Sequence, residues 1–369
     1  MYHEESRRVA ILHATTALAL LFLVGCGGEG TPATLAIPTP MPNPAPAPTP
    51  IPTSTPPNGQ PPPDLIFTGD GVQSPTSRQE LFTIYQDGSA RTQLSSDGLN
   101  HFLPHYSPDG RRIAYTKFFR GGYGSADAIT DVVVYDVASR IETRLTNLDN
   151  GWQPVWSPDG TRIAFGTNSG SELRLMNADG SGQRLVGRPG GSPDDLQWGD
   201  WLWSSDNWIY FVVVQRIDGC FKTRIDRIRP DGSGRVRITD GGPNCTPDGF
   251  EQSGDADPAI SPDGRTIYSS RGLPLRVPGQ PDATVRHLYR FSSDPYTVDK
   301  VETDLSLPAK ADCIAGVPKV SPRGARIAFF LFCPSDPARI GITLTDPDGT
   351  AFTFITPGFG PDWHPTARD

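Results

Sequence analysis

One repeated phrase constrains the fold of this chain more than any other feature. In full it reads Gln153-Pro154-Val155-Trp156-Ser157-Pro158-Asp159-Gly160-Thr161-Arg162-Ile163-Ala164-Phe165. It recurs as Tyr106-Ser107-Pro108-Asp109-Gly110 with Ile113 and Tyr115, as Ile260-Ser261-Pro262-Asp263-Gly264 with Ile267, and as Val320-Ser321-Pro322-Arg323-Gly324 with Ile327 and Phe329. Weaker copies are Trp203-Ser204-Ser205-Asp206-Asn207 and Trp363-His364-Pro365. An apolar residue ends one strand. The turn follows because Pro pre-sets φ, Asp caps its own backbone and Gly accepts positive φ. Alternating apolar residues begin the returning strand. The copies lie about 43 to 60 residues apart, the spacing of one four-stranded repeat in a ring of such units.

Filling in between the copies predicts six units from Asp64 onward. Units two to six each hold four short strands, whereas the first shows three: 65–67, 81–85 and 90–94. A fragment at 360–365 matches the first strand of a repeat and is left over at the other end. A closed ring accounts for both, because the C-terminal strand then completes the first unit and leaves no open edge. The alternative is an open solenoid, which needs capping repeats. Pro104, Pro154, Pro258, Pro318 and Pro361 each precede the strand-ending residue by two, and Trp201 takes that slot in the fourth unit. Proline cannot donate to a ladder, so these first strands read as edges facing a central channel. Tyr106, Trp156, Trp203 and Trp363 recur at one place in the repeat and read as core.

These residues resemble the TolB-type, or WD40-like PD40, propeller repeat, whose signature is a first strand, Ser-Pro-Asp-Gly, a basic residue and an Ile-Ala-Phe-like strand. The resemblance covers essentially 64–369 and implies an all-β, six-bladed β-propeller. The chain departs from TolB itself in showing no N-terminal α/β segment. Similar propellers precede prolyl-oligopeptidase hydrolase domains, but no Gly-x-Ser-x-Gly occurs here.

Residues 1–25 read as an export signal. Arg7 and Arg8 precede a short apolar run that is interrupted by His13, Thr15 and Thr16 and is short for a span of about 20 residues. Glu4 and Glu5 are unusual in such a charged region. Leu23-Val24-Gly25-Cys26 resembles a bacterial lipobox, which implies cleavage before Cys26 and a lipid on its sulfur; the alternative is a membrane anchor left in place. Residues 26–63 are rich in Pro and Thr and cannot build a core. They are expected to form a disordered, extended tether with a reach on the order of 100 Å, or alternatively a Pro-rich ligand for an aromatic groove. Residues 64–369 would form the propeller.

Chemistry is harder to find. The Asp-Gly pairs fall in tight turns, where turn geometry asks for them. No Walker loop, His-x-x-x-His or Cys-x-x-Cys pattern occurs, so no metal site and no cofactor is predicted. The net charge of −8 is spread along the chain and argues against nucleic acid, which requires a basic face. His101, His105, Asp200, Asp255, Asp257, Lys319 and Asp362 lie in or just before first strands and are candidates for the channel mouth.

Connections at 117–130, 187–199, 215–222, 240–257, 271–286 and 305–316 read as long and should emerge on one face, where binding tends to sit. Phe118, Phe119, Arg120, Tyr123 and Arg271 are the candidates for that face, aromatic and Arg side chains being suited to interface anchors. Cys220, Cys245, Cys313 and Cys333 remain in an exported chain. The pairs 220–245 and 313–333 are expected, each worth roughly 3 kcal/mol in the chain-entropy model; a zinc site from all four is the alternative. The expected role is a lipid-anchored, non-catalytic binding module of the bacterial envelope, facing periplasm or exterior. It would be monomeric and hold a protein, peptide or glycan. The alternative is an envelope lyase or hydrolase with its site at the channel mouth.

Overall fold

The computed structural model describes residues 61–69, 78–122, 125, 127–167, 172–188, 195–217, 220–241, 253–275, 283–297, 299–305, 313–336 and 339–367. The expectations for the signal, Cys26, the tether up to residue 60, Tyr123 and Cys245 lie outside them. Among the described residues the chain is all-β, with no α-helix.

Strand β1 (Leu65–Gly69) pairs with β2 (Glu80–Ile84), and β2 with β3 (Thr92–Gln93). The next sheet is β4 (Asn100–Tyr106), β5 (Arg112–Arg120), β6 (Ile129–Asp136) and β7 (Glu142–Arg144) in chain order. A third follows with β8 (Trp152–Trp156), β9 (Arg162–Thr167), β10 (Glu172–Asn177) and β11 (Arg184–Gly187). Three more antiparallel groups continue. They are β12 (Asp195–Trp203) to β13 (Ile209–Ile217), β14 (Cys220–Ile228) and β15 (Val236–Arg237); β16 (Ser253–Ile260) to β17 (Thr266–Leu275), β18 (Ala283–Ser292) and β19 (Glu302–Asp304); and β20 (Ile314–Val320) to β21 (Ile327–Phe332), β22 (Gly341–Thr345) and β23 (Phe352–Thr356). Short parallel pairings, β14 with β16 and β18 with β20, join these three into one twelve-stranded sheet. The last strand, β24 (Phe359–Trp363), pairs antiparallel with β1, Leu65 opposite Trp363.

The Ser-Pro-Asp-Gly turns show why the phrase recurs. Ser157 Oγ donates to Asp159 Oδ1 at 2.5 Å and accepts the Arg162 N–H at 2.9 Å, while Asp159 also accepts the Thr161 N–H at 3.0 Å. These bonds hold the Asp159 carboxyl down at about 2. Gly160 takes φ 68°, a conformation that is costly with a Cβ. The basic residue after the turn reaches the next unit: Arg112 lies 4.5 Å over Trp156 and Arg162 5.1 Å over Trp203. Trp156 Nε1 in turn donates to His105 O in the preceding unit at 3.1 Å.

Inner strands are apolar on both faces because sheets pack face to face. Ala114, Val132 and Val134 meet Trp156, Ile163 and Phe165 between the second and third groups. Leu65, Phe67 and Ile84 of the first group meet Ala328, Ile342 and Leu344 of the last. Each fully buried side chain of this size contributes roughly 1.5–3 kcal/mol. A disulfide joins Cys313 to Cys333, with Cα atoms 4.2 Å apart.

The connections expected to be long loops are in part strand. β13 and β14 form one hairpin arm down to Ile217 opposite Cys220, and β17 and β18 another down to Leu275 opposite Ala283. β5 likewise continues to Arg120. Loop length had to be inferred from where apolar alternation stops, and polar residues inside a paired arm hide the strand.

Candidate functional site: the central channel

The six first strands, β4, β8, β12, β16, β20 and β24, share an irregularity. Each ladder shifts register just before its Pro or Trp slot. At that bulge Leu103, Gln153, Asp200, Asp257, Val317 and Gly360 all have φ between 49° and 59°. For the five non-glycine residues this left-handed geometry costs of order 1–2 kcal/mol each, most plainly for β-branched Val317. A bulge lets one strand carry an extra residue and re-aims its side chain. Here the bulged residues and the neighbouring prolines line a cavity of about 50 Å³. At about 10–15 Å³ per water it has room for a few waters.

Leu103 and Val317 of the lining pack with an aromatic cluster, in which Phe102 stacks on Phe359 at 5.1 Å and on Trp152 at 5.6 Å, and Phe359 meets Phe330 at 5.1 Å. Within the lining, Gln153 donates through Nε2 to Asp200 Oδ1 at 2.9 Å and accepts the Asp200 N–H at 3.1 Å. Asp257 accepts from Ser270 Oγ at 2.8 Å, and Ser270 Oγ accepts from Arg286 Nη1 at 3.3 Å. Asp200 and Asp257 sit deep in the molecule yet keep some surface toward the cavity. Burial raises both carboxyls above the usual range, and the Asp200 charge adds to the effect at Asp257, against the pull of Arg286. His105 is held neutral by burial, against the attraction of Asp362. Two carboxyls raised in this way can retain a proton, but the cavity offers little space for a reactant.

Of the candidates for the channel mouth, His105, Asp200, Asp257 and Lys319 line this cavity. Asp362 is buried beside it and accepts the Tyr106 N–H at 2.8 Å, tying β24 to β4. His101 and Asp255 stand elsewhere, at the far ends of their strands between neighbouring sheets. Asp255 is fully buried and paired with Arg271. Among the face candidates, Phe118 is 3% exposed and packs with Phe102 and Phe330, and Arg271 is 3% exposed between Asp255 and Glu302. Both belong to the longer β5 and β17 arms, so they are corrected from face to interior. Phe119 is half-buried under the Arg144 guanidinium, 4.2 Å from its ring. Arg120 is exposed. Gln153, Ser270 and Arg286 escaped the sequence reading. The residue three before the strand end could have shown Gln153, but nothing local marks Ser270 or Arg286.

No protein-family model matches the chain. Its sequence is similar to the Tol-Pal system protein TolB of Anaeromyxobacter dehalogenans, at 34% identity over 109 residues that make up 29% of this chain and 24% of that protein. The chain thus matches about a quarter of the length of these curated relatives. A crystal structure of TolB from Acinetobacter baumannii superposes with a TM-score of 0.57 at 17% identity, covering 82% of this chain and 66% of that one. A chain of a nidogen/laminin complex gives the same TM-score at 9% identity, covering 82% and 98%. At these identities the likeness shows fold alone. The chain therefore carries a TolB-like β-propeller domain, related to the TolB proteins distantly and in part.

Proposed function

We propose that the chain is a lipid-anchored, non-catalytic binding module of the bacterial cell envelope. In this reading its six strand groups are the blades of one closed ring, and the face opposite the Ser-Pro-Asp-Gly turns holds a protein, peptide or glycan. The pairing of β24 with β1 and the apolar contact between last and first groups support closure. The lipobox-like Leu23-Val24-Gly25-Cys26 supports the anchor.

The cavity carries the non-catalytic reading. At about 50 Å³, and lined by the bulged residues and prolines of the first strands, it has room for waters rather than a sugar or peptide. Binding is then left to the rim, where hairpin arms extend β5, β13 and β17. Arg120 at the end of β5 is exposed there, with its Nε donating to Asp127 O at 3.1 Å and lying 3.7 Å from the Asp127 carboxylate. The test is capture of a partner from envelope extract by wild type, Arg120→Glu and Arg111→Glu, the last on the turn face. Arg120→Glu should lower capture about 5-fold or more, as an interface Arg does, with Arg111→Glu unchanged. Equal capture by all three would sink the face assignment. The raised carboxyls of Asp200 and Asp257 favour the lyase or hydrolase reading instead. Turnover of an envelope glycan that Asp257→Asn abolishes would establish it.

A further inference from the structure

A second polar cluster lies away from the channel, between the first and second sheets. It is built from Glu80 at the start of β2, Asp97 before β4, His101 in β4, Lys117 in β5 and Glu142 in β7. His101 is 0% exposed. Its Nδ1 lies 3.0 Å from the Gln79 carbonyl oxygen. A carbonyl can only accept, so Nδ1 carries the hydrogen and Nε2 is the ring atom left for a second proton or a metal ion. That buried Nε2 has no hydrogen-bond partner. What it faces is two more acceptors, Asp97 Oδ2 at 3.6 Å and Glu142 Oε1 at 3.8 Å. Two carboxylates facing that nitrogen call for a positive charge there, either a second proton on the ring or a metal ion.

The surroundings fit such a cation. The donor atoms of Glu80, Asp97 and His101 all lie within 4.8 Å of one another. Two ligands about 2.0–2.2 Å from one tetrahedral ion stand about 3.4 Å apart, close to the 3.6 Å between His101 Nε2 and Asp97 Oδ2, while Glu80 Oε2 lies 3.6 Å from Nδ1 of the same ring. A histidine that gives its other N–H to a backbone carbonyl is the arrangement that orients a metal-binding imidazole. Glu80 is held in place by Ser95 Oγ at 2.5 Å and the Gly98 N–H at 3.0 Å, one bond to each oxygen, which leaves a lone pair on both. The Leu99 N–H bonds Asp97 Oδ1 at 2.9 Å and leaves Oδ2 facing the cluster. Three carboxylates meet one resident cation, Lys117, whose ammonium touches Asp97 and Glu142.

We propose that His101 Nε2, Asp97 and Glu80 form a binding site for a first-row divalent ion of the zinc or manganese class, with Lys117 shifting onto Glu142 when the ion enters. An imidazole among carboxylates selects these ions over calcium and magnesium, which prefer all-oxygen sets. The site is independent of any partner on the rim.

The test is titration of the purified, untagged protein with Zn²⁺ alone, followed by calorimetry and thermal melting, beside His101→Gln and Asp97→Asn. Asp97 is a quarter exposed, so its variant tests the site even if His101→Gln folds poorly. Wild type should bind one equivalent whose affinity falls about 10-fold or more in either folded variant, on the scale of lost ligand-shell partners. Zinc should also raise the melting temperature of wild type only. Equal binding by wild type and Asp97→Asn would overturn the site. So would a His101 ring found by nitrogen NMR to be doubly protonated at pH 7 with zinc present.

Discussion

The second and fifth repeats build the same frame and complete it differently. The registers coincide: His101 stands opposite Lys117 as Asp255 stands opposite Arg271, and Glu142 opposite Tyr135 as Glu302 opposite Phe291. In the fifth repeat the Arg271 fork meets Asp255 at 2.7 and 3.0 Å and Glu302 on its other side. Ser269 Oγ adds a bond to Asp255 at 3.2 Å. Every oxygen that faces the guanidinium is used. The second repeat replaces the planar fork with a point charge and the carboxylate with an imidazole, and one ring nitrogen is left without a hydrogen-bond partner. The fifth cluster reads as a closed brace and the second as an incomplete one. The difference is the one that separates Arg from Lys at a two-sided site.

The comparison breaks most visibly at Arg271. Arg271→Met would strand the fully buried Asp255 and cost about 3–5 kcal/mol, read from urea midpoints. Lys117→Met should cost less, about 1–2 kcal/mol, because Asp97 and Glu142 keep a quarter to a third of their surface in water. If the two costs came out in reverse order, the fifth cluster would not be the tighter brace.

A smaller effect belongs to Lys300, also in the fifth repeat, whose ammonium donates to Ile238 O at 2.8 Å and Asp294 O at 2.6 Å. Burial pushes it down to about 8, against the attraction of Asp294 and Glu302. Unfolded, it titrates near about 10.4. Between these values the unfolded chain binds more protons, so stability should rise as pH goes from about 8 to about 10.5. That contribution is lost as pH falls through the folded value. The difference in melting temperature between wild type and Lys300→Gln across this window checks it, and parallel curves would refute it.

Much of the architecture was legible because it is local and repeated. The Ser-Pro-Asp-Gly turns need only residues within five positions of one another, and alternation marks the strands on either side. The C-terminal fragment Gly360-Pro361-Asp362-Trp363 announced a strand without a unit, and β24 lies against β1. The sites were much less legible. Gln153, Asp200 and Asp257 share a position that the repeat alignment could have revealed, but their meeting with Ser270 and Arg286 could not be read from spacing. Phe118 and Arg271 were misplaced because polar or charged residues mid-arm look like the end of a strand.

By itself, the sequence determined an all-β repeat, its turn chemistry, the core position of Trp156 and Trp363, and the pattern of prolines on the inner strands. These follow from φ restrictions, side-chain period and missing donors, which act within a few residues. Only the tertiary structure decided that Arg271 is a buried brace, that His101 leaves its Nε2 facing two carboxylates, and that the cavity among the bulged first strands has room for a few waters. Those outcomes depend on which side chains from strands far apart in sequence come within a few ångströms. At that range charge and hydrogen-bond complementarity, rather than local propensity, set what each residue does.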